Sequence, residues 1–257
     1  MSNQPRPYVL AESNWKHVKD EQYTVAILPW GATEAHNYHL PYATDNILAE
    51  SVAIESAEKA WSNHAKVIVL PTIPFGVNTG QIDVPLCINM SPSTQLAVLK
   101  DIGFVLNKQN INKFVIVNAH GGNHFKQMIR ELSISYPDVF ICALDWWKVT
   151  DADHFFDTPG DHAGELETAV VMHLTPNFVL PLELAGDGAA KTFKISGLKE
   201  GWVTAQRQWT EVTSDTGVGN PYKASKEKGE KFFDVVTDKI ALFFKELHHA
   251  DLNDMYE

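Results

Sequence analysis

Short apolar runs alternate with longer segments of helical periodicity along this chain. Four runs have the length and composition of buried strands: residues 24–28, 66–70, 113–117 and 139–144. Five segments carry apolar residues at helical spacing: residues 46–63, 93–109, 123–136, 165–174 and 224–247. Strands that alternate with helices predict an α/β fold with a mostly parallel central sheet covered on both sides.

The chain has 257 residues and shows neither an internal repeat nor a low-complexity linker. We therefore interpret residues 1–257 as a single domain. Residues 181–221 are rich in Gly and polar side chains, and their pattern predicts no particular element.

Composition narrows the classes of partner. The formal net charge is −11 at pH 7, which argues against nucleic acid and against an anionic membrane as partners. No apolar run approaches the roughly 18 residues of a membrane span, and residues 1–12 lack the apolar core of a secretion signal. Two cysteines, Cys87 and Cys142, are too few for a disulfide framework. We expect a cytoplasmic protein.

Polar side chains follow the first predicted strand directly. Glu34, His36, His39 and Asp45 lie within twelve residues, and Glu34 and His36 point to the same side if the chain is extended. Imidazole and carboxylate are ligands for divalent transition metals. An exposed polar turn would also account for Glu34 and His36, and Asp45 suits a helix cap. His39 could instead support a ligand through its second ring nitrogen.

A second polar group, Asn-Ala-His-Gly-Gly-Asn, follows the third predicted strand at residues 118–123. It contains neither of the common glycine-rich phosphate-binding patterns. His120 is therefore its candidate ligand, and the glycines permit a tight turn.

A third polar group, at residues 161–168, opens the fourth predicted helix. Glu165 and Glu167 are two apart on that helix and should face differently, so that one reaches a site while the other caps the helix or bonds to a ligand. His162, in the preceding turn, could transfer a proton or simply pack. Sites in open α/β sheets form at the carboxyl ends of strands, so the three groups together predict one metal site.

These groups resemble the motifs of the creatininase (creatinine amidohydrolase) family. Four segments carry the resemblance: Leu-Pro-Trp-Gly-Ala-Thr-Glu-Ala-His at residues 28–36, Asn-Ala-His-Gly-Gly-Asn at 118–123, His-Ala-Gly-Glu-Leu-Glu-Thr at 162–168 and Thr-Gly-Val-Gly-Asn-Pro at 216–221. The resemblance implies a three-layer α/β/α domain, hydrolysis of a C–N amide bond with two divalent metal ions per chain, and a homohexamer.

The resemblance also implies a ligand set. Glu34 and His120 would bind one ion, His36 the other, and Asp45 both. True creatininase takes a further ligand from a glutamate two residues after the motif histidine, where this chain has Gly122. The branch of the family with the sequence His-Ala-Gly-Glu implies Glu165 as that ligand instead.

Two other positions depart from creatininase. Thr158 stands where creatininase has a tryptophan that covers the substrate, and Val-Pro-Leu-Cys-Ile at residues 84–88 replaces the usual Phe-Pro-Gly-Thr-Ile. We therefore expect the substrate to be a small amide other than creatinine.

Together these observations predict a metal-dependent amidohydrolase that uses Zn, Mn or Fe to activate water and acts on a cyclic amide or a formamide. His162 is the expected proton donor to the leaving nitrogen, and Asp161 is expected to orient it. Two alternatives stay open: a metallopeptidase that trims a small specific peptide, and a non-catalytic metal-binding protein on the same fold.

Overall fold

A four-stranded parallel sheet forms the centre of the protein in the computed structural model, which describes residues 5–158 and 160–257. The strands are β1 (Val25–Trp30), β2 (Val67–Val69), β3 (Lys113–Asn118) and β4 (Phe140–Asp145), in the spatial order β2-β1-β3-β4. The expectation of no secretion signal falls partly on residues 1–4, which lie outside the described residues.

The helices follow the predicted pattern closely. They are α1 (Trp15–Val18), α2 (Thr44–Ser62), α3 (Pro92–Lys108), α4 (Lys126–Ser135), α5 (Glu165–Leu174), α6 (Ser196–Lys199), α7 (Trp209–Val212) and α8 (Lys226–His249). The prediction of a helix from residue 123 began too early, because the side chain of Asn123 instead accepts a hydrogen bond from the backbone N–H of Val77 in the turn before α4. In the segment without a clear pattern, residues 181–221, only α6 and α7 form among the α-helices, and each has one turn.

Alternate side chains of β1 enter two separate cores, because successive residues of a strand point to opposite faces. Val25 and Ile27 pack in the core with α2, α5 and α8. Ala26 and Leu28 pack in the other core with α3 and α4. This confirms the three-layer α/β/α architecture. Each fully buried Leu, Ile or Phe contributes roughly 1.5–3 kcal/mol to holding these layers together.

The register of the sheet determines where the polar groups meet. Trp30 at the end of β1 pairs with Asn118 at the end of β3. The segments that leave these two strands therefore emerge side by side at one edge of the sheet, and the first turn of α2 lies next to them. In the described part of the chain, no helix is long and apolar enough to cross a membrane.

Candidate metal centre

Glu34, Asp45 and His120 form the first group of ligand atoms. The Nδ1 atom of His120 lies 2.9 Å from Oε1 of Glu34 and 3.0 Å from Oδ2 of Asp45. Glu34 follows β1, His120 follows β3, and Asp45 lies in the first turn of α2. All three side chains are buried. The alternative of Asp45 as a helix cap is not observed, since α2 is preceded by Ala43 and has no side-chain cap.

His36, Asp45 and Glu167 form the second group. The Nε2 atom of His36 lies 3.0 Å from Oδ1 of Asp45. One ligand atom from each of the three residues lies within 4.8 Å of the others. Oε2 of Glu167 accepts a hydrogen bond of 2.6 Å from the backbone N–H of Ala163. The two oxygens of Asp45 therefore face two different groups, as a carboxylate that bridges two ions would.

The donor atoms fit a pair of divalent cations. Among the described residues, Oε1 of Glu34, Nε2 of His36 and Oδ2 of Asp45 are buried and have no hydrogen-bond partner outside the candidate ligand atoms around them. Leaving such atoms poorly satisfied costs free energy, and bound cations would satisfy them. Mixed nitrogen and oxygen donors suit Zn, Mn or Fe.

The protonation of the histidines reflects the crowded carboxylates. Burial alone lowers the pKa of His36, but the charge of Asp45 outweighs it and raises that pKa to about 10. Loss of hydration raises the pKa of Glu167 to about 7. Metal ions displace protons from such ligands. Bound cations would therefore neutralise the carboxylates in place of these protons.

Hydrogen bonds orient the ring of His120. Its Nε2–H donates to the carbonyl of Val77 at 3.0 Å, which leaves Nδ1 free to act as the ligand atom. A side chain at Gly122 would clash with this same carbonyl and with the ring of His120. The glutamate that creatininase has at this position therefore does not fit beside His120 as the ring is placed here.

Glu165 does not reach the metal centre. Its carboxylate accepts hydrogen bonds from the backbone N–H of Thr158 at 2.7 Å and from the Thr158 hydroxyl at 3.0 Å, and it forms an ion pair with Lys228 of α8. Residues two apart on a helix differ in direction by roughly 200°, so Glu167 faces the sheet edge when Glu165 faces α8. This placement corrects the sequence-based assignment of Glu165 as the ligand beside His36.

His162 lies beside His36 and Glu34. Its ring centroid is 4.1 Å from that of His36, and its Nδ1 is 3.7 Å from Oε1 of Glu34. Its Nε2–H donates to the carbonyl of Ala35 at 2.9 Å. Burial lowers the pKa of His162 to about 4, so the imidazole is neutral at pH 7. The three residues Glu34, His36 and His162 form a third group that could hold a cation.

Asp161 does not orient His162. Its carboxylate instead forms an ion pair of 2.8 Å with Arg207 and is largely exposed. The backbone carbonyl of Ala35 takes the orienting role that the sequence assigned to Asp161. Neighbours in sequence need not share partners, and here Asp161 pairs with Arg207 while His162 lies against Glu34 and His36.

Sequence reasoning missed Gln81. This buried side chain donates from Nε2 to Oε2 of Glu34 and so leaves Oε1 facing His120. It lies in a single 3-10 turn, Thr79–Gln81, with no chemical motif around it. His39 hydrogen-bonds with the hydroxyl of Thr168 at 2.8 Å through its Nε2 and belongs to none of the three groups.

A cavity of about 670 Å³ opens over the centre. Its walls include Glu34, His120, His162 and Glu167, together with the aromatic side chains of Trp147 and Trp209. Of the two adjacent tryptophans after β4, Trp146 is fully buried in the core and Trp147 lines the cavity. The candidate ligands are therefore accessible to a small molecule.

The same motifs match a known family. The model of the creatininase family, described as creatinine amidohydrolase, matches residues 11–244. The chain belongs to the creatininase family. The members that it resembles act as hydrolases, and this chain is a hydrolase of that family.

Three relatives show how near the likeness is. A protein of Bacteroides fragilis, provisionally named creatinine amidohydrolase, has a solved structure that is 44% identical, covers 99% of this chain and 100% of its own, and superposes with a TM-score of 0.93. The mycofactocin precursor peptide peptidase of Mycolicibacterium smegmatis is 28% identical over 216 residues, which are 81% of this chain and 79% of that protein. A solved structure named creatininase with Mn is 22% identical, covers 95% of this chain and 99% of its own, and has a TM-score of 0.79, which shows the shared fold.

Proposed function

We propose that this hydrolase uses two divalent metal ions to hydrolyse a C–N amide bond in a small molecule. One observation carries the proposal. The two oxygens of Asp45 face His120 on one side and His36 on the other, at 3.0 Å each. A buried carboxylate placed between two sets of ligand atoms is typical of a bridging ligand in a two-metal site.

The ligands divide into two sets that share Asp45. Glu34, Asp45 and His120 would hold one ion, and His36, Asp45 and Glu167 would hold the other. When bound, Zn, Mn or Fe ions supply Lewis acidity, which lowers the pKa of water and polarises an amide carbonyl. A manganese form of the related creatininase supports this choice of metals.

His162 is the residue that would move protons. Its Nε2–H is committed to the carbonyl of Ala35, so the free lone pair is on Nδ1, which faces Glu34. A neutral imidazole in this position can accept a proton at Nδ1 from attacking water and return it to the leaving nitrogen. The Trp209 ring packs against the His162 ring, with 4.8 Å between the ring centres, and would help to hold its orientation.

The experiment that tests the proposal is elemental analysis of protein purified without chelator. We expect about two divalent ions per chain, as for a two-metal site. Asp45→Asn should lose both, because Asp45 serves both sets of ligands. The matched control is Asp138→Asn, which changes an exposed aspartate before β4 and should keep both. If the wild-type protein contained no metal, even after addition of Zn or Mn, the proposal would be refuted.

A second candidate function is a peptidase. The M. smegmatis relative is named a precursor peptide peptidase, and the cavity of about 670 Å³ has room for more than one small ring. A screen of cyclic amides, formamides and short peptides with the metal-loaded protein separates the two functions. Turnover of peptides alone would favour the second.

Three further expectations stand as proposals from the family likeness and the sequence: one domain across residues 1–257, a homohexamer, and a cytoplasmic location. Light scattering of the purified protein tests the hexamer directly. A stable monomer would contradict it.

A further inference from the structure

A row of side chains in ring contact runs from the candidate metal centre out to the wall of the cavity. The rings of His36 and His162 are 4.1 Å apart, and those of His162 and Trp209 are 4.8 Å apart. The guanidinium carbon of Arg207 lies 4.9 Å from the centre of the Trp209 ring. Arg207 thus contacts Trp209, which in turn contacts the histidine that would transfer the proton.

The charge of Arg207 is unusual in its surroundings. Among the described residues that line the cavity, Arg207 is the sole Lys or Arg, whereas five are acidic: Glu34, Asp45, Glu131, Asp161 and Glu167. Stacking on Trp209, which is 9% exposed, holds the planar guanidinium in place. A fixed cation in an otherwise acidic cavity suits recognition of an anionic group on a ligand.

The ion pair between Asp161 and Arg207 is weak. The pair joins Nη1 of Arg207 to Oδ2 of Asp161, and the two side chains are 40% and 59% exposed. Exposed pairs of this kind add little stability, and a guanidinium has five N–H donors. An incoming carboxylate could therefore share Arg207 or displace Asp161 at small cost.

A second cavity, of about 680 Å³, lies on the other side of the segment 205–207. Its lining includes Lys191, Lys194 and Lys199, and Arg207 borders both cavities. Three lysines and an arginine are concentrated here in a chain whose net charge is −11. The positive charge thus continues beyond Arg207, away from the metal centre.

We propose that Arg207 is a specificity residue that binds a carboxylate at the remote end of the amide substrate, while the amide lies at the metal centre. The inference rests on the proposed function, because it assigns the reacting end of the substrate to the metal ligands. It narrows the substrate class from small amides in general to amides that carry a carboxylate. The lysines of the second cavity add to the attraction of that charge.

The test compares two probes of nearly equal shape. Hippurate (N-benzoylglycine) ends in a carboxylate and hippuramide in a neutral amide. Isothermal titration calorimetry with the zinc-loaded protein gives the dissociation constant of each. We expect hippurate to bind about tenfold or more tightly, as one charge-assisted hydrogen-bonded pair provides. In Arg207→Met the two constants should become nearly equal.

The matched control is Arg130→Met, which removes an exposed arginine of α4 outside the cavity and should keep the preference. A carboxylate can also bind zinc directly. A preference for hippurate that survives in Arg207→Met would therefore assign the carboxylate to the metal and overturn the inference.

A second variant acts in the opposite direction and does not depend on the folding of Arg207→Met. Asp161→Asn removes the competing carboxylate, so hippurate should bind about threefold more tightly while hippuramide is unchanged. Equal effects on both probes, or weaker binding of hippurate, would overturn the inference.

The two proposals can fail separately, because the preference for hippurate and the metal content are independent measurements on the same sample. Two ions per chain with no preference for hippurate would refute the role of Arg207 alone. A preference abolished by Arg207→Met, in a protein that retains no metal and cleaves no amide, would refute the proposed function alone.

Discussion

Two glutamates in the first turn of α5 have opposite surroundings. Glu165 is buried against Lys228 and Thr158, and although burial raises its pKa, these donors outweigh it and hold the pKa below the usual range. Glu167 faces His36 and Asp45, and loss of hydration raises its pKa to about 7. Glu165 already has a lysine as its cation, whereas Glu167 lies among the candidate ligands, where a bound metal ion would further stabilise its charge. The surroundings of these identical residues therefore suit a structural role for Glu165 and the proposed metal-binding role for Glu167.

The largest effect should separate these two glutamates directly. Glu167→Gln removes a ligand of the second ion, so we expect about one ion per chain instead of two and a loss of activity greater than the 10–100-fold typical of residues that only support ligands. Glu165→Gln should keep both ions. Elemental analysis of the two variants in parallel provides the measurement. Loss of metal from Glu165→Gln but not from Glu167→Gln would reverse the comparison.

A second expectation concerns creatinine. Creatininase has a tryptophan that covers the substrate at the position of Thr158. Here Thr158 donates hydrogen bonds to Glu165 through its backbone N–H and its hydroxyl, and so helps to hold that buried carboxylate in place. Without a large aromatic face, stacking worth roughly 0.5–1.5 kcal/mol is lost. We expect a kcat/KM for creatinine below about 10⁴ M⁻¹s⁻¹. An assay of the metal-loaded enzyme that exceeds this value would contradict the expectation.

Lys228→Met tests whether the ion pair with Glu165 stabilises the fold. It leaves Glu165 buried without its cation, and we expect the free energy of unfolding to fall by about 1–3 kcal/mol. Urea unfolding measures this free energy. The control is Lys231→Met, which changes an exposed lysine on the same helix. Unchanged stability would show that the ion pair contributes nothing.

The difference in the free energy of unfolding between the wild type and Lys228→Met should depend on pH in one direction. The pKa of Glu165 is lowered in the folded protein, so its ion pair stabilises fully above the unfolded pKa of about 4.3. The contribution is lost as the pH falls further, and the difference between Lys228→Met and the wild type should shrink below about pH 4. A difference that grows in acid would contradict the assignment.

The smallest effect is expected at Thr158. Thr158→Ala removes one hydroxyl donor to Glu165 while the backbone N–H remains, so about 0.5–1.5 kcal/mol of stability should be lost. Thr158→Ser retains the hydroxyl and should lose less. Metal content should be the same in both variants. A change in metal content would show that Thr158 affects the metal site and does not act through the stability of the fold alone.

The sequence could predict much of the candidate centre because most of its candidate ligands follow strands. Glu34 and His36 come directly after β1, and His120 comes directly after β3. Apolar runs identify strands, and parallel strands place their carboxyl ends at one edge. The layers and the meeting of these ligands with Asp45 thus follow from local patterns and one general rule.

The choice between Glu165 and Glu167 needed the tertiary structure. The sequence places both in one helical turn, facing roughly 200° apart. The rotation of α5 about its own axis decides which of them meets His36, and packing against α2 and α8 sets that rotation. Gln81 and Arg207 were beyond prediction for a related reason. They lie in a single 3-10 turn and in the segment between α6 and α7, where no periodicity tells which way a side chain points. Local sequence determines which residues share an element, but only long-range packing determines which of its sides faces the site.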